Sequence, residues 1–213
     1  MQIAYFSQYY PSQDVESYLE SDSSIQVQKI DEGWLFDSPG NQKALIFYSG
    51  AKVDTTNYAP LLKQIASTYQ VDCFLVDVPC HFAIYGMNKA NQWMENNDYD
   101  KWYLGGAMIC SYAKKHCNQI DGLVLLGAYV SADLSQAFFP VEVIVGSEDQ
   151  IINRNKLEQG ALKAMNQYTV SIIDGGNHAY FGSYGKQSGD DQALLTPKQQ
   201  LQQIIDLMGS IIQ

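Results

Sequence analysis

The chain has 213 residues, enough for one domain with a sizeable core, and its 46% hydrophobic and 17% charged content excludes a disordered or fibrous protein. Its net charge of −10 is spread without long like-charge blocks, so it reads as a solvated acidic surface that repels nucleic acid and anionic membranes. No run of 18 apolar residues exists, and the first 22 residues have neither a basic start nor a signal-length apolar stretch, so a soluble chain without a membrane span is expected. Cys73, Cys80, Cys110 and Cys117 are too few for a disulfide framework and read as free thiols. No Cys-x-x-Cys occurs and the three histidines are far apart, so neither a metal nor a cofactor is implied.

Residues 1–24 read as an N-terminal extension and 25–213 as one domain. Ile25–Ile30 and Gly33–Asp37 are expected as short strands around the turn-like Asp31-Glu32-Gly33. Lys43–Tyr48 is an apolar strand, and Asn57–Tyr69 has helical spacing through Tyr58, Leu61, Leu62, Ile65 and Ala66. Val71–Val78 follows as a buried strand, then a short helix over Lys89–Glu95. Trp102–Leu104 should be a strand passing through Gly105-Gly106 directly into a helix over Ala107–Cys117. Gly122–Tyr129, Val141–Val145 and Thr169–Ile173 read as strands and Asn155–Met165 as a helix. Phe181–Leu195, rich in Gly, Ser and Asp, reads as a long loop. Thr196, Pro197 and Gln199 form a capping signal for a last helix with Leu201, Ile204, Ile205, Met208 and Ile212 on one face.

Alternating helices and non-alternating apolar strands predict a three-layer α/β/α sandwich on a mostly parallel sheet. Ligands bind such sheets beyond the carboxyl ends of their strands. Two strand-end loops there carry suggestive residues, Gly146-Ser147-Glu148-Asp149 and Gly175-Gly176-Asn177-His178. An Asp and a His on neighbouring ends can form a carboxylate–imidazole pair, with Asp149 orienting His178 as general base. A loop Asp is equally able to cap the following helix, and a His to serve structure alone. His116 falls at a helix C-terminus, where a cation is favoured, and His81 follows a strand end where it could line a pocket. Tyr85, Tyr180, Phe181 and Tyr184 are candidates for an apolar pocket, or for packing.

The segments IFYSGAKVDTTNYAPLL, KWYLGGAM, DGLVLLGAY, VIVGSEDQI and IIDGGNHAYFGSYG resemble, in order, the small α/β-hydrolase family related to dienelactone hydrolases. The resemblance implies an α/β-hydrolase fold and a carboxylic-ester hydrolase activity on a small-molecule ester. It sets Asp149 and His178 on the catalytic acid and base. It sets Gly50, Ala51 and Lys52 in the oxyanion loop, where Ser49 replaces a usual Pro and Ala51 a usual Gly. Members often carry an N-terminal membrane segment, so a membrane-tethered or extracytoplasmic parent protein is compatible with it.

The family pattern Leu-Gly-Gly-His-Ser-Leu-Gly-Gly-Ala-Met is here Leu104-Gly105-Gly106-Ala107-Met108, five residues shorter and without the nucleophilic Ser. No Gly-x-Ser-x-Gly occurs anywhere. If Gly106 is the first Gly of the elbow, Met108 takes the nucleophile's place. If the Gly pair is its last two residues, Tyr103 does. Cys110 is the best substitute nucleophile by chemistry. The expectation is therefore an impaired or inactive hydrolase, or else a non-catalytic pocket-binding or scaffold member of the family.

Overall fold

The computed structural model describes residues 9–78, 86, 88–164 and 167–212. Cys80, His81 and Tyr85, and with them the pocket readings of His81 and Tyr85, lie outside them. Eight strands form one sheet: β1 (Gln26–Ile30), β2 (Gly33–Asp37), β3 (Lys43–Tyr48), β4 (Asp72–Val76), β5 (Lys101–Gly106), β6 (Gly122–Leu126), β7 (Val141–Gly146) and β8 (Tyr168–Ile173). Their order is β1-β2-β4-β3-β5-β6-β7-β8. The β1–β2 and β2–β4 pairs are antiparallel and every later pair is parallel.

The apolar strands bury both faces, which is why their sequences do not alternate. Along β3, Ala44, Ile46 and Tyr48 enter one core while Leu45 and Phe47 enter the other. The first core is closed by α2 (Lys89–Asn96), α3 (Cys110–Lys115) and α4 (Arg154–Gly160), through Ala90, Trp93, Tyr112, Ala113 and Leu157. The second is closed by α1 (Ala59–Tyr69) and α5 (Pro197–Ile212), through Leu62, Ile65, Ile204, Ile205 and Met208. The arrangement is the expected three-layer α/β/α sandwich. The capping signal of α5 is realised: Gln199 Oε1 accepts the Thr196 N–H at 2.9 Å, and Thr196 Oγ1 accepts the Gln199 N–H at 3.3 Å.

Several boundaries differ from the sequence expectation. Gly105 and Gly106 belong to β5, because parallel pairing carries on through Gly106 to Tyr48 of β3 and to Leu125 of β6. The helix expected from Ala107 starts only at Cys110 and ends at Lys115, leaving Ala107–Ile109 as a turn. Likewise α4 stops at Gly160, where Tyr168 Oη comes within 2.7 Å of where a Cβ would stand.

The segment before β1 is not a loose tail over the residues described. Tyr10 N–H donates to Lys52 O at 2.7 Å, and Gln13 N–H donates to Ser183 O at 2.8 Å. It thereby spans the loop after β3 and the loop after β8.

Among the described residues, no helix is long and apolar enough to cross a membrane. None of their His, Cys, Asp and Glu side chains gather into a group of three able to hold a metal ion.

Candidate active site

Parallel pairing brings the carboxyl ends of β3, β5, β6, β7 and β8 to one edge of the sheet. The loops after β7 and β8 bring Asp149 and His178 together: His178 Nδ1 lies 2.8 Å from Asp149 Oδ2. A carboxylate only accepts, so Nδ1 carries the proton and donates it. Neutral imidazole then has Nε2 as its basic nitrogen, and a carboxylate behind the ring steadies the cation that forms when Nε2 takes a proton.

Asp149 is fully buried, and its other oxygen accepts the N–H groups of Ile151 and Ile152, each at 2.9 Å. It closes its own loop rather than capping α4, which Asn153 caps through Lys156 N–H. Arg154 reaches back from α4 and donates to the carbonyls of Gly146, Ser147 and Asp149 at 2.9, 3.3 and 3.0 Å. On the other loop, Asn177 N–H donates to Gln200 Oε1 at 3.0 Å, anchoring the turn before His178 on α5. The imidazole rests against the backbone of Gly127, just after β6, which has φ +54° and no side chain to obstruct it.

The turn from β5 into α3 has the form of a strand–turn–helix elbow. Gly106 takes φ +113°, where a Cβ would fall 1.9 Å from Tyr48 O, so only glycine fits. Met108 takes φ +56°, uncommon for a residue with a side chain, and stands 48% exposed at the apex. Of the two positions that the sequence left open, Met108 occupies this apex, while Tyr103 is buried inside β5. The β5–β6 register pairs Gly106 with Leu125. Met108 and Gly127, each two residues further on, therefore follow neighbouring strand ends.

Cys110 starts α3, is buried, and turns its thiol toward Tyr129 O. It packs in the core beneath the turn rather than at the open edge.

Gly50, Ala51 and Lys52 follow β3 beside this turn, since Ala107 N–H donates to Tyr48 O at 3.3 Å. Gly50 N–H is engaged by Tyr58 Oη at 3.2 Å. Burial pushes the Tyr58 phenol up to about 12, partly offset by that N–H. Ala51 is exposed, and Lys52 takes φ +61° with its carbonyl tied to Tyr10. Ser49, in place of a Pro, is buried with no partner for its hydroxyl.

The aromatics divide. Tyr180 and Phe181 line a cavity of about 590 Å³ with Asn57, Leu61, Gln64 and Leu201, on the face that α1 and α5 cover. Neither Asp149, His178 nor Met108 lines it. Tyr184 is buried against Tyr10, and its phenol is held far above its ordinary value by burial, then by Tyr58, Asp190 and Asp149. His116 ends α3 as expected, stacked on Tyr112.

Sequence reasoning missed the roles of Arg154, Asn177, Gln200 and Asp190, whose hydrogen bonds fix the two loops, and of Gly127, against which the imidazole rests. Asn177 and Asp190 stand close to His178 in sequence and could have been flagged as loop-forming side chains. Gln200 and Gly127 carry no local signal.

The sequence profile described as the alpha/beta hydrolase family matches residues 44–202. No curated protein matches the chain significantly. Among solved structures, a predicted CIB-like hydrolase from Thermoplasma acidophilum superposes with a TM-score of 0.65 at 12% identity, over 87% of this chain and 98% of that one. Carboxyl esterase 2 from Tuber melanosporum has a TM-score of 0.65 at 11% identity, over 97% and 92%. A dienelactone hydrolase from Anabaena variabilis has a TM-score of 0.61 at 15% identity, over 89% and 100%. At such identities the structural likeness is one of fold, and the profile match over most of the chain carries the conclusion that this protein belongs to the α/β-hydrolase family.

Proposed function

We propose that this protein carries a carboxylic-ester hydrolase site that keeps its base and orienter and has methionine in the nucleophile's place. The observation that carries the reading is the 2.8 Å contact between His178 Nδ1 and Asp149 Oδ2 on adjacent strand-end loops of a hydrolase fold. His178 Nε2 is the base, Asp149 sets its tautomer, and the loop of Gly50, Ala51 and Lys52 lies where an oxyanion is held. The esterases and the dienelactone hydrolase among the similar folds support a small carboxylic ester, or a related acyl compound, as ligand. A thioether cannot be deprotonated to attack a carbonyl, so the chain as it stands turns such esters over slowly or not at all.

The turn at Gly106–Cys110 supports substitution rather than deletion as the origin of the loss. An ungapped match of Leu104-Gly105-Gly106 to the family pattern sets Met108 on the Ser and Cys110 on the glycine two residues later. The positive φ of Gly106 and of Met108 supports that alignment. Met108→Ser should therefore suffice. Its hydrolysis of p-nitrophenyl acetate should rise by orders of magnitude over the parent chain and fall back with His178→Ala. Inserting His-Ser-Leu-Gly-Gly after Gly106 should instead lengthen a complete turn and lower the melting temperature.

A second reading, a non-catalytic pocket-binding member, is favoured by Met108 itself, an exposed apolar side chain at the apex of the site. A folded but inert Met108→Ser variant would establish that reading over the first. Brisk ester hydrolysis by the parent chain would mean that another nucleophile is at work.

A further inference from the structure

The geometry points to Asp190 as a positioning residue that clamps the two loops carrying Asp149 and His178 into contact. Asp190 lies in the long segment between β8 and α5, which sequence reading treats as plain loop. Its Oδ2 accepts the N–H of Ala179 at 2.9 Å, and its Oδ1 accepts the N–H of Gln150 at 3.2 Å. Ala179 and Gln150 are the residues immediately after His178 and Asp149. One carboxylate thus holds the backbone on both sides of the imidazole–carboxylate contact, with one oxygen for each loop. A bidentate acceptor is suited to this, because each oxygen satisfies a separate donor while the rigid carboxyl plane sets the spacing between them.

The clamp is itself fixed. Asp191 O accepts the Asn177 side-chain N–H at 2.9 Å, and Leu194 N–H donates to Gly175 O at 2.8 Å. The segment 190–194 is therefore stitched to the turn before His178 as well as to the residue after it. Asn177 Oδ1 completes the frame by accepting Tyr180 N–H at 3.1 Å. Without Asp190, the β7 loop and the β8 loop keep their own internal bonds but lose the side chain that joins them beyond the pair. The separation of Asp149 and His178 would then rest on their mutual hydrogen bond and on bonds that all precede the pair: Glu148 N–H to Gly176 O at 2.8 Å, Gly175 N–H to Ser147 Oγ at 2.8 Å and Ser147 N–H to Ile173 O at 2.9 Å.

The inference rests on the reading of Asp149 and His178 as orienter and base, but its test does not require turnover. In the chain as it stands, the His178 Nδ1 proton held by Asp149 should give a downfield, slowly exchanging NMR resonance. Asp190→Ala should broaden or abolish that resonance and accelerate hydrogen exchange at the Gln150 and Ala179 amides, with far-UV circular dichroism unchanged. Asp191→Ala should change none of these, because Asp191 contributes its backbone carbonyl. Should Asp190→Ala fail to fold, Asp190→Asn keeps one acceptor oxygen, and it should accelerate exchange at one of the two amides and shift the Nδ1 resonance. In a Met108→Ser background that has gained activity, Asp190→Ala should lower kcat about 100-fold with little change in KM, the cost of a misplaced base. An Nδ1 resonance unaltered by the loss of Asp190 would overturn the proposal, whatever the outcome for Met108→Ser. An inert Met108→Ser variant whose Nδ1 resonance still depends on Asp190 would leave the clamp standing and remove only the hydrolase reading.

Discussion

Gly127→Ala tests whether the His178 ring is seated where the structure places it. The added methyl would stand 2.9 Å from His178 Cε1, 3.0 Å from Nδ1 and 3.2 Å from Phe181 Cδ2, and Gly127 has φ +54°. The backbone conformation alone costs alanine about 1 kcal/mol, after allowing for the lower entropy of its unfolded chain. Overpacking against a ring held by Asp149 adds about 1–3 kcal/mol. The total is about 2–4 kcal/mol, or roughly 4–16 °C in melting temperature for a chain of this size. Gly40→Ala is the matched control: its φ is +85°, and nothing lies within 4 Å of the new Cβ. It should cost about 1 kcal/mol, the conformational part alone. Thermal unfolding by circular dichroism of both variants, and of Gly127→Ala combined with His178→Ala, completes the cycle. Removing the imidazole should return most of the steric part, with a remainder from Phe181. Equal costs for Gly127→Ala and Gly40→Ala would refute the placement of the ring.

Further outcomes follow from the same geometry. Thr196→Ala removes one half of the α5 capping box and should lower stability by about 1 kcal/mol in denaturant titrations. Arg154→Lys removes Nη2, the one guanidinium nitrogen that serves all three carbonyls, and leaves an ammonium on a shorter stem. It should destabilise by about 1–2 kcal/mol and raise amide exchange across Ser147–Ile152. Glu142 is buried in β7 with Oε1 unpartnered, and burial holds its pKa above the ordinary value, against an opposing hydrogen bond from Ser171. A raised carboxyl pKa means that folding favours the protonated form, so the penalty is absent at low pH and grows as pH rises through the folded-state value. Glu142→Gln should accordingly be more stable than the parent at pH 7 and lose that advantage near pH 4, as read from paired melting curves. An advantage independent of pH would point to packing instead.

The sheet was legible because β3, β4, β6 and β7 are buried on both faces, and so read as unbroken apolar runs. The last helix was legible because its cap and its apolar stripe are both local signals. The β5–α3 junction was not. A glycine pair reads as a break, whereas here Gly105 and Gly106 extend a strand whose conformation is imposed by Tyr48 and Leu125 on either side. Local propensity has no access to that pairing. The Asp149–His178 contact was legible as two short loops after adjacent parallel strands. The strand pairing of Val141–Gly146 with Tyr168–Ile173 then does the rest. Met108 could be placed only as one of two alternatives, since its role depends on which backbone takes the turn. Asp190 was invisible as an individual: a carboxylate in a Gly-, Ser- and Asp-rich loop looks solvated until the two amides that it accepts are seen in space.

These residues also differ in what they carry for the fold. Asp149 is buried and accepts two backbone N–H groups besides the imidazole, so replacing it with an apolar residue strands the buried Ile152 donor at about 1–3 kcal/mol and releases the part-buried Ile151 N–H. Glycine at 106 is required by the closeness of Tyr48 O, and glycine at 127 by the seated ring. The apex residue carries none of this. Its side chain is half out of the protein, and the turn asks of it only a positive φ, which serine and methionine meet at similar cost. On the proposed reading, the nucleophile's position is thus the one that can be exchanged with the least disturbance to the fold, while His178, Asp149 and the backbone of the turn are fixed by packing and hydrogen bonds that act whether or not an ester is ever cleaved. That reading requires only a reacting atom to be supplied at position 108, and for that reason one substitution there is the experiment that decides it.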